Sequence, residues 1–408
     1  MTFTPPDYTG QQLQDNYEAV NADLIAFVQS GLADLATYVD AQLAPLLAAA
    51  AAKPTPANPV PAGKIAPFGF PSPAIPSSAY YLDPTGSDSG SGSSSNPWKT
   101  VEHAVSVVRA GDVVVLNGGG APFASSDPKN PNSLFYSSAG TPAAHIKWIS
   151  NPGKPRAQLA RRQRMNGAYN EFWNLDIVGP TGVIGSTEDV LCWMDGGVWL
   201  VNCDVSKDAW HAGCFVGNTS IPTKILGCRI HHNGSMAAAN SNVDHGIYWN
   251  VGGGVIAGTQ LDHNFCHGIQ VYPHANGVQL VYCTLADNGN TVGGTHGVGM
   301  MFASDGSAPI TANCSLSKSI VARNVENGIR SSGSPASSNS ASDNLVFGNG
   351  GGNFGAELGT PALVTSGIVQ QDPLFIDPTN GNYDLQAGSP AIGKWGAYQN
   401  GADPTQYL

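Results

Sequence analysis

Hydrophobic and polar positions recur in short, similar segments between residues 201 and 324. The segments VNCDVSKDAW, LGCRIHHNG, AGTQLDHNF, VYCTLADNG and SKSIVARN superpose. Alternation along each strand predicts two inward columns and one polar column at a turn. The first inward column is Cys203, Cys228, Thr259 and Cys283, the second is Val205, Ile230, Leu261, Leu285 and Ile320, and the polar column is Asp208, Asn233, Asn264, Asn288 and Asn324.

A glycine-containing element follows most of these segments, as in VDHGIYW and NFCHGIQVY. The glycines Gly246, Gly268, Gly297 and Gly328 are predicted to let the chain turn, and Ile247, Ile269, Val298 and Ile329 to enter a core. His245, His267 and His296 stand where Asn327 stands one repeat later, which favours stacking and backbone bonding over catalysis. Repeats of roughly 22 to 31 residues with such columns predict a parallel β-helix. Lys318 interrupts the cysteine column without an evident reason.

The chain upstream of the repeats has a helical pattern. Residues 9–50 carry an apolar stripe with a mean step of about 3.7 residues, which is typical of a helix that self-associates. We therefore expect an N-terminal α-helical oligomerisation stalk over 1–52 and a proline-rich linker over 53–79. The β-helix body is predicted over 80–369, with a capping helix near 98–109, and a closing module over 370–408.

Composition excludes several classes of partner. Charged residues make up 12% of the 408 residues and the net charge is −11, so we expect no nucleic-acid binding. No apolar run reaches 18 residues, which predicts no membrane insertion. The start MTFTPPDYTG lacks the features of a signal peptide, so the chain is expected to stay where it is made or to leave inside a virus particle. Seven widely spaced cysteines argue against a disulfide framework or a zinc site.

The two ends of the predicted body carry a family resemblance. YYLDPTGSDSG with NPWKTVEHAVSVVRAGDVVVL, and QQDPLFIDPTNGNYDLQAGSPAIGKWGAY, resemble the opening and closing modules of right-handed parallel β-helix polysaccharide lyases of the chondroitinase B and alginate lyase kind, and of bacteriophage tailspikes. With the stalk, the resemblance implies an all-β homotrimer that is attached through the stalk to other virion proteins. It would be located on the virion and act outside the cell on a bacterial surface polysaccharide.

The resemblance also bears on the site. The family's lyases use a lysine and an arginine about twenty residues apart, and Lys207 and Arg229 have that spacing, but the Glu-x-Glu calcium element of the family has no clear match. No cofactor is expected to be required, although the resemblance leaves room for a divalent cation such as calcium.

Outward-facing positions supply the candidate site residues. Polar groups converge on the repeats between 203 and 274. The predicted catalytic residues are Asp204, Lys207, Arg229, His231, Asp244 and Asp262. The predicted substrate-binding residues are His232, Tyr248, His263, Gln270, Tyr272, His274 and Arg330. His231, His232 and His263 are more typical of a hydrogen-bonded surface cluster than of a metal site.

Three functions remain open at this point. In a lyase, His231 or Lys207 would remove a proton beside a uronate carboxyl and Arg229 would stabilise the charge. In a glycoside hydrolase, two carboxyl groups are needed, for which Asp204, Asp244 and Asp262 are candidates. In a non-catalytic receptor-binding fibre, Tyr248 and Tyr272 would stack on sugars. We expect a phage tailspike-like protein that binds and depolymerises a surface polysaccharide, with a structural virion fibre and a secreted bacterial polysaccharide lyase as alternatives.

Overall fold

The computed structural model describes residues 69–126, 133–179, 190–206, 211–217, 220–234, 243–290, 296–357, 359–397 and 404–408. The predicted stalk, most of the linker, and two residues named above, Lys207 and Asp208, lie outside these described residues. The account below concerns the unit that begins at Pro59.

Short β-strands dominate the described chain, with one α-helix, α1 (Val101–Val107), and two 3₁₀ turns, Pro378–Asn380 and Pro404–Tyr407. The strands are β1 Tyr80–Leu82, β2 Val113–Leu116, β3 Ser133–Phe135, β4 Ile146–Ser150, β5 Gln158–Leu159, β6 Arg162–Met165, β7 Asn170–Trp173, β8 Asp176–Val178, β9 Cys192–Met194, β10 Trp199–Val201, β11 Asp204–Ser206, β12 Cys214–Val216, β13 Thr223–Leu226, β14 Arg229–His231, β15 Ile247–Ala257, β16 Gln260–Asp262, β17 Ile269–Val281, β18 Thr284–Ala286, β19 Met300–Ser304, β20 Ser315–Ser317, β21 Ile320–Ala322, β22 Ile329–Gly333, β23 Ser340–Ser342, β24 Leu345–Phe347, β25 Phe354–Ala356, β26 Val364–Ser366, β27 Phe375–Asp377 and β28 Asn382–Leu385.

The strands form three parallel stacks, in which each strand pairs with its counterpart one coil away. Stack one contains β3, β6, β9, β12, the first half of β15, the first half of β17, β19, β22 and β25. Stack two contains β1, β2, β4, β7, β10, β13, the second halves of β15 and β17, β20, β23 and β26. Stack three contains β5, β8, β11, β14, β16, β18, β21 and β24. This arrangement is a parallel β-helix, as the repeats predict.

Inward-facing side chains of all three stacks fill one core. The predicted cysteine column is buried, and Val205, Ile230, Leu261 and Leu285 are fully buried beside it. All seven cysteines are free thiols in buried positions, as small apolar side chains would be.

One member of the predicted columns, Ile320, needs correction at β21. Its register pairs Leu285 with Val321 and Thr284 with Ile320, so Val321 enters the core and Ile320 faces outward. The prediction for Ile320 was wrong by one residue. The adjacent residues Ile320 and Val321 are both apolar and both buried, so the sequence does not show which of them faces inward. Cys283 is matched by Ser319, whose hydroxyl accepts the Cys283 N–H at 3.0 Å.

The same shift explains Lys318. It lies one place before the cysteine column, at a turn where Gly227, Gly258 and Tyr282 stand in earlier coils, and all four have positive φ. Its ammonium group lies over the Tyr282 ring, 5.3 Å from the centroid. Lys318 therefore occupies the left-handed turn position and does not interrupt the core column.

The asparagine column forms a continuous hydrogen-bonded ladder. The side-chain amide of each of Asn233, Asn264, Asn288 and Asn324 donates to the side-chain oxygen of the next asparagine at 2.9 to 3.0 Å, and the last acceptor is Asn349. The column also bonds to the backbone of the preceding coil, since Asn288 donates to the Leu261 carbonyl at 2.9 Å. The ladder satisfies buried polar groups along one turn of every coil.

The ladder also accounts for the repeated glycine. A Cβ atom on Gly246, Gly268, Gly299 or Gly328 would lie 2.6 to 3.0 Å from a ladder amide nitrogen. Gly246, Gly268 and Gly328 do not have the positive φ of a turn glycine, so the close approach of the ladder requires them.

The register corrects the predicted alignment of the third repeat. Ile269 pairs with Met300, so Gly299 takes the glycine position and Val298 takes that of His267. His296 therefore lies two residues before the histidine column, and Met300, not Val298, enters the main core. Matching HGV to HGI misplaced the repeat because Gly297 and Gly299 both offer a glycine.

Additional segments cover the outside of the β-helix. Val101 and Ala104 of α1 join the main core cluster. Phe70 and Tyr407 pack on the outer face of stack two, so Phe70, which precedes the predicted body, is part of the folded unit. Residues 375–395, which contain the β27–β28 hairpin, pack on the outer face of stack three. No helix in the described ranges has the length and hydropathy needed to span a membrane.

Candidate functional site

The residues predicted as catalytic on stack three form a hydrogen-bonded network. The His231 Nε2 atom lies 3.1 Å from the Asp204 carboxylate, and its Nδ1 atom lies 2.7 Å from Nδ1 of His232. The His232 ring stacks on that of His263 with centroids 5.0 Å apart. His232 and His263 both have positive φ at the turn that precedes the asparagine ladder. The turn therefore places the imidazoles of His232 and His263, which belong to successive coils, on top of each other.

Asp262 is the buried anchor of this network. Its carboxylate accepts hydrogen bonds from Arg229 Nε at 3.0 Å and Nη2 at 2.8 Å, and from Gln260 at 2.6 Å, while Nδ1 of His263 lies 2.9 Å away. Burial alone would raise the pKa of Asp262, but the Arg229 guanidinium and these hydrogen bonds lower it well below the ordinary value. Asp262 is fully enclosed, so its carboxylate serves the network and not a bound sugar.

Residues 375–395 cover much of stack three. The Tyr383 hydroxyl donates to Asp287 at 2.8 Å and lies 3.3 Å from Nδ1 of His263. A side chain on Gly381 would meet the Arg229 guanidinium at 2.2 Å, which shows how closely this segment approaches the network. The structure thus brings Asp204, Arg229, His231 and Asp262 together, and residues 375–395, the closing segment, reach this network at Arg229 and His263.

Asp244 lies away from these carboxylates, at the entrance to stack one. It is fully buried, and its carboxylate lies 3.2 Å from Nδ1 of His211. His211 lines the cavity described next.

The outer face of stack one carries an open groove, the stack-one groove, made of two adjoining cavities of about 240 and 640 Å³. The cavities share Val243 and Tyr248. The register places one outward side chain from each coil in a single column along the groove, namely Trp193, Phe215, Tyr248, Gln270, Met301 and Arg330.

One end of the groove is aromatic. Trp193 and Phe215 have ring centroids 4.5 Å apart, and Phe215 stacks on Tyr248 at 5.4 Å. Tyr272 meets Tyr248 edge to face at 6.2 Å. Burial raises the pKa of Tyr248, so its hydroxyl stays protonated. The result is a row of ring faces and edges that runs across successive coils.

The other end of the groove is polar. Arg330 forms ion pairs with Glu326 and, at 3.2 Å, with Glu357. Glu357 also accepts the Ser332 hydroxyl at 2.7 Å and the Gly333 N–H at 3.1 Å. The Ser332 hydrogen bond is the main reason that the pKa of Glu357 is lowered. Two carboxylates are thus held beside one guanidinium at the groove surface.

Two stacked histidines lie between these ends. The His245 and His267 rings are parallel with centroids 4.7 Å apart. Nδ1 of His267 accepts the Val298 N–H at 3.1 Å, which leaves Nε2–H as the donor of the neutral ring. Burial and the neighbouring His245 lower the pKa of His267 well below its ordinary value. His267 lines the groove as an uncharged hydrogen-bond donor.

Two clusters have the residue types and spacing of metal ligands, namely His245, Cys266 and His267, and His231, His232 and Asp262. In the first, Nδ1 of both histidines accepts a backbone N–H, and burial raises the pKa of the Cys266 thiol. In the second, the Asp262 oxygens already bind Arg229 and Gln260. Neither donor set therefore fits a cation without rearrangement.

Neither a protein-family model nor a curated protein matches the sequence. Among solved structures, the pectate lyase Pel9A matches with a TM-score of 0.56 and 15% identity, over 78% of this chain and 91% of its own. The chain has the parallel β-helix fold of this pectate lyase. A rhamnogalacturonan lyase matches with a TM-score of 0.42 and 16% identity, over 76% of this chain and 95% of its own. ORF18 of Geobacillus virus E2 matches with a TM-score of 0.33 and 13% identity, over 67% of this chain and 57% of its own.

The predicted likeness to β-helix polysaccharide lyases is confirmed at the level of the fold. Of the predicted substrate-binding residues, Tyr248, Gln270, Tyr272 and Arg330 all line the stack-one groove. His274 is not among the lining residues, and its Nδ1 atom lies 2.6 Å from the Pro309 carbonyl oxygen.

Sequence reasoning did not single out Trp193, His211, Glu326 and Glu357 as site residues. Strand alternation would have found Trp193, which lies opposite Phe215. Glu326 and Glu357 lie outside the repeats in which polar residues concentrate, so no local pattern marked them.

Proposed function

We propose that this chain binds a bacterial surface polysaccharide along the stack-one groove and depolymerises it there, as a phage tailspike-like virion protein. The observation that supports the proposal is the aromatic row of Trp193, Phe215 and Tyr248, which leads along one face to the Glu326–Arg330–Glu357 cluster. Coils are about 4.8 Å apart, so the column from Trp193 to Arg330 spans roughly 24 Å, enough for several sugar rings. Such a groove suits a chain-like ligand.

The two ends of the groove have different proposed roles, sugar packing at the aromatic end and the reaction at the polar end. Aromatic rings present apolar surface against which the C–H groups of sugars pack, while polar groups fix orientation. Glu326 and Glu357 are ionisable groups at the surface of the groove, where a glycosidic bond can reach them. We therefore place the reaction at this end.

The stack-three network supports the closing segment in this proposal. Asp262 is enclosed and hydrogen-bonded on both oxygens, and a catalytic carboxyl must reach the bond it cleaves. Asp204 and His231 remain the sequence-based alternative, with Lys207 outside the described residues.

The virion assignment and the homotrimer rest on the apolar stripe of residues 9–50. Light scattering of the full-length chain should give the mass of three copies. A monomeric mass at micromolar concentration would overturn the trimer and remove the main argument for a stalk.

The central test is mass spectrometry of surface polysaccharides from a panel of bacterial strains after incubation with the full-length protein. Depolymerisation of at least one polysaccharide into repeat-unit fragments is expected. Intact polymers that nevertheless bind would leave a receptor-binding fibre without activity. Intact polymers that do not bind would overturn the proposal.

Site location is tested on the polysaccharide that is cleaved. Glu326→Gln is expected to reduce the rate at least a hundredfold, since it removes an ionisable group without changing shape. Asp372→Asn, an exposed carboxylate outside the groove, serves as the charge-matched control and should retain full activity. If Asp204→Asn abolishes cleavage and Glu326→Gln does not, the reaction belongs to stack three.

A further inference from the structure

From the charges in the stack-one groove we infer that its polysaccharide carries no carboxylate groups, and that cleavage is therefore hydrolysis and not β-elimination. The inference deepens the proposed function and rests on it. It concerns the chemical class of the substrate, which the fold does not specify.

The first argument is the charge balance of the groove. Apart from histidines, the charged side chains among the described lining residues of both cavities are Arg330, Glu326 and Glu357. The one guanidinium is shared by two carboxylates, through Nη1 to Glu326 and through Nη2 to Glu357. A uronate carboxylate would have to displace one glutamate and then lie beside the displaced charge. Like charges at this separation repel, so an acidic sugar is disfavoured here.

The second argument is that several other polar groups of the groove carry no charge. Gln270, Ser332 and the Nε2–H of His267 offer hydrogen bonds without charge. His267 remains an uncharged donor because burial lowers its pKa. Such groups match sugar hydroxyls and acetamido groups. With the aromatic row, they describe a site for neutral hexoses or N-acetylhexosamines.

The reaction follows from the substrate. β-Elimination removes a proton beside a carboxylate and needs a cation to stabilise the resulting charge. Arg330 is already matched by two carboxylates. Hydrolysis needs two carboxyl groups and a water molecule, and Glu326 and Glu357 provide the pair.

In the hydrolytic step, one carboxylate takes a proton from water as the water oxygen bonds to the anomeric carbon. The glycosidic C–O bond breaks, and the leaving oxygen takes a proton from the second, protonated carboxyl. Glu357, whose pKa is lowered by its hydrogen bond from Ser332, suits the ionised role. Glu326 would then be the acid, and it would have to exchange its ion pair with Arg330 for a proton before each cleavage.

The test is a glycan array of bacterial polysaccharides, probed with the full-length chain and followed by mass spectrometry of the digested ligands. We expect bound glycans without acidic sugars and fragments that are each one water heavier than the anhydro repeat. Binding confined to uronate-containing glycans, or unsaturated products one water lighter than these, would overturn the inference but leave a depolymerase. Binding to none would overturn the proposed function and this inference with it.

A variant tests the charge argument directly. Glu357→Gln leaves Arg330 with one carboxylate, so this variant should bind polygalacturonate at least tenfold more tightly than the wild type does. Asp372→Asn changes the net charge equally and should leave polygalacturonate binding unchanged. Tight wild-type binding of polygalacturonate, with or without added calcium, would contradict the argument. Equal affinities of the wild type and Glu357→Gln would contradict it as well.

Discussion

At the residue scale, each coil depends on a few positions with left-handed backbone conformation. His232, His263, Asp287 and Arg323 have positive φ at one turn, and Tyr282 and Lys318 have it at another. This conformation costs roughly 1 to 2 kcal/mol for a residue with a Cβ atom. The polar members offset the cost through contacts between coils, such as the stacked imidazoles of His232 and His263. The turns are thus where this fold accepts polar side chains of many kinds.

Tyr248 offers the clearest test of sugar stacking at a single position. Its ring lies between Phe215 and the polar end of the groove, and the proposed function gives it a packing role. Tyr248→Ala should weaken binding of the cleaved polysaccharide about tenfold, the equivalent of roughly 1.4 kcal/mol. Tyr248→Phe, the matched control, should bind within about twofold of the wild type. Calorimetry can measure both, and equal losses in the two variants would assign the role to the hydroxyl group instead.

Residue-level prediction from sequence succeeded where alternation was strict and failed where it was not. Tyr248 and Gln270 were correctly assigned to the outer face, since polar or amphipathic residues alternate there with Ile247, Trp249 and Ile269. Ile320 was misplaced because the closing segment buries the outer face of β21 too, so both faces are apolar. In such a strand, the pattern of apolar and polar residues does not reveal a one-residue shift in register.

At the element scale, the asparagine ladder depends on the glycine column beside it. The ladder needs a backbone close to the amide groups, and glycine allows that approach. The sequence predicted a polar column at this turn because asparagine recurs three residues beyond an aliphatic core position, but it did not predict the side-chain ladder. It did not predict the steric reason for the glycines, since that reason lies between coils and not along the chain.

Replacement of Asn288 tests the ladder. Asn288→Ala removes the bonds to Asn324 and to the Leu261 carbonyl, and it leaves the Asn264 side-chain amide with one acceptor, the Ile230 carbonyl, instead of two. Buried polar groups without partners cost about 1 to 3 kcal/mol each, so the free energy of unfolding should fall by about 3 kcal/mol. Urea denaturation measures the change.

Asn380→Ala is the control for this experiment. Asn380 is exposed on the closing segment, and its loss should change the free energy of unfolding by less than about 0.5 kcal/mol. If Asn288→Ala is as mild as the control, the ladder does not stabilise the fold.

At the scale of the whole molecule, the outer faces of the three stacks differ in what covers them. Stack two is covered by Phe70 and Tyr407, stack three by residues 375–395, and stack one carries the groove. The repeats alone could not distinguish stack three from stack one, because both place polar residues at outward positions. The closing segment, more than a hundred residues away from Asp262 in sequence, makes the difference.

The cover over stack three is expected to weaken in acid. The unfolded chain protonates His232 near its ordinary pKa of 6.5, whereas loss of hydration and the neighbouring His231 lower its pKa in the folded state to about 4. Between these values the unfolded state binds more protons, so the stability of the fold falls as the pH falls from 6.5 to 4. The pKa of Asp262 is lowered in the folded state, so the stability that its ionised carboxylate contributes is lost only as the pH falls below the ordinary value of 3.8. The loss attributable to His232 should be on the order of 1 kcal/mol, after allowance for solvent screening.

His232→Asn isolates this effect, because asparagine tolerates the left-handed conformation of the turn and does not titrate. Thermal melting at pH 7 and at pH 4.5 should show a smaller decline for the variant than for the wild type. Limited proteolysis at pH 4.5 should cleave wild-type residues 375–395 before the β-helix body, since that segment packs on the histidine network through Tyr383. Equal melting declines in the two proteins would show that acid acts elsewhere, and cleavage that begins in the body would show that the closing segment is not the first part to open.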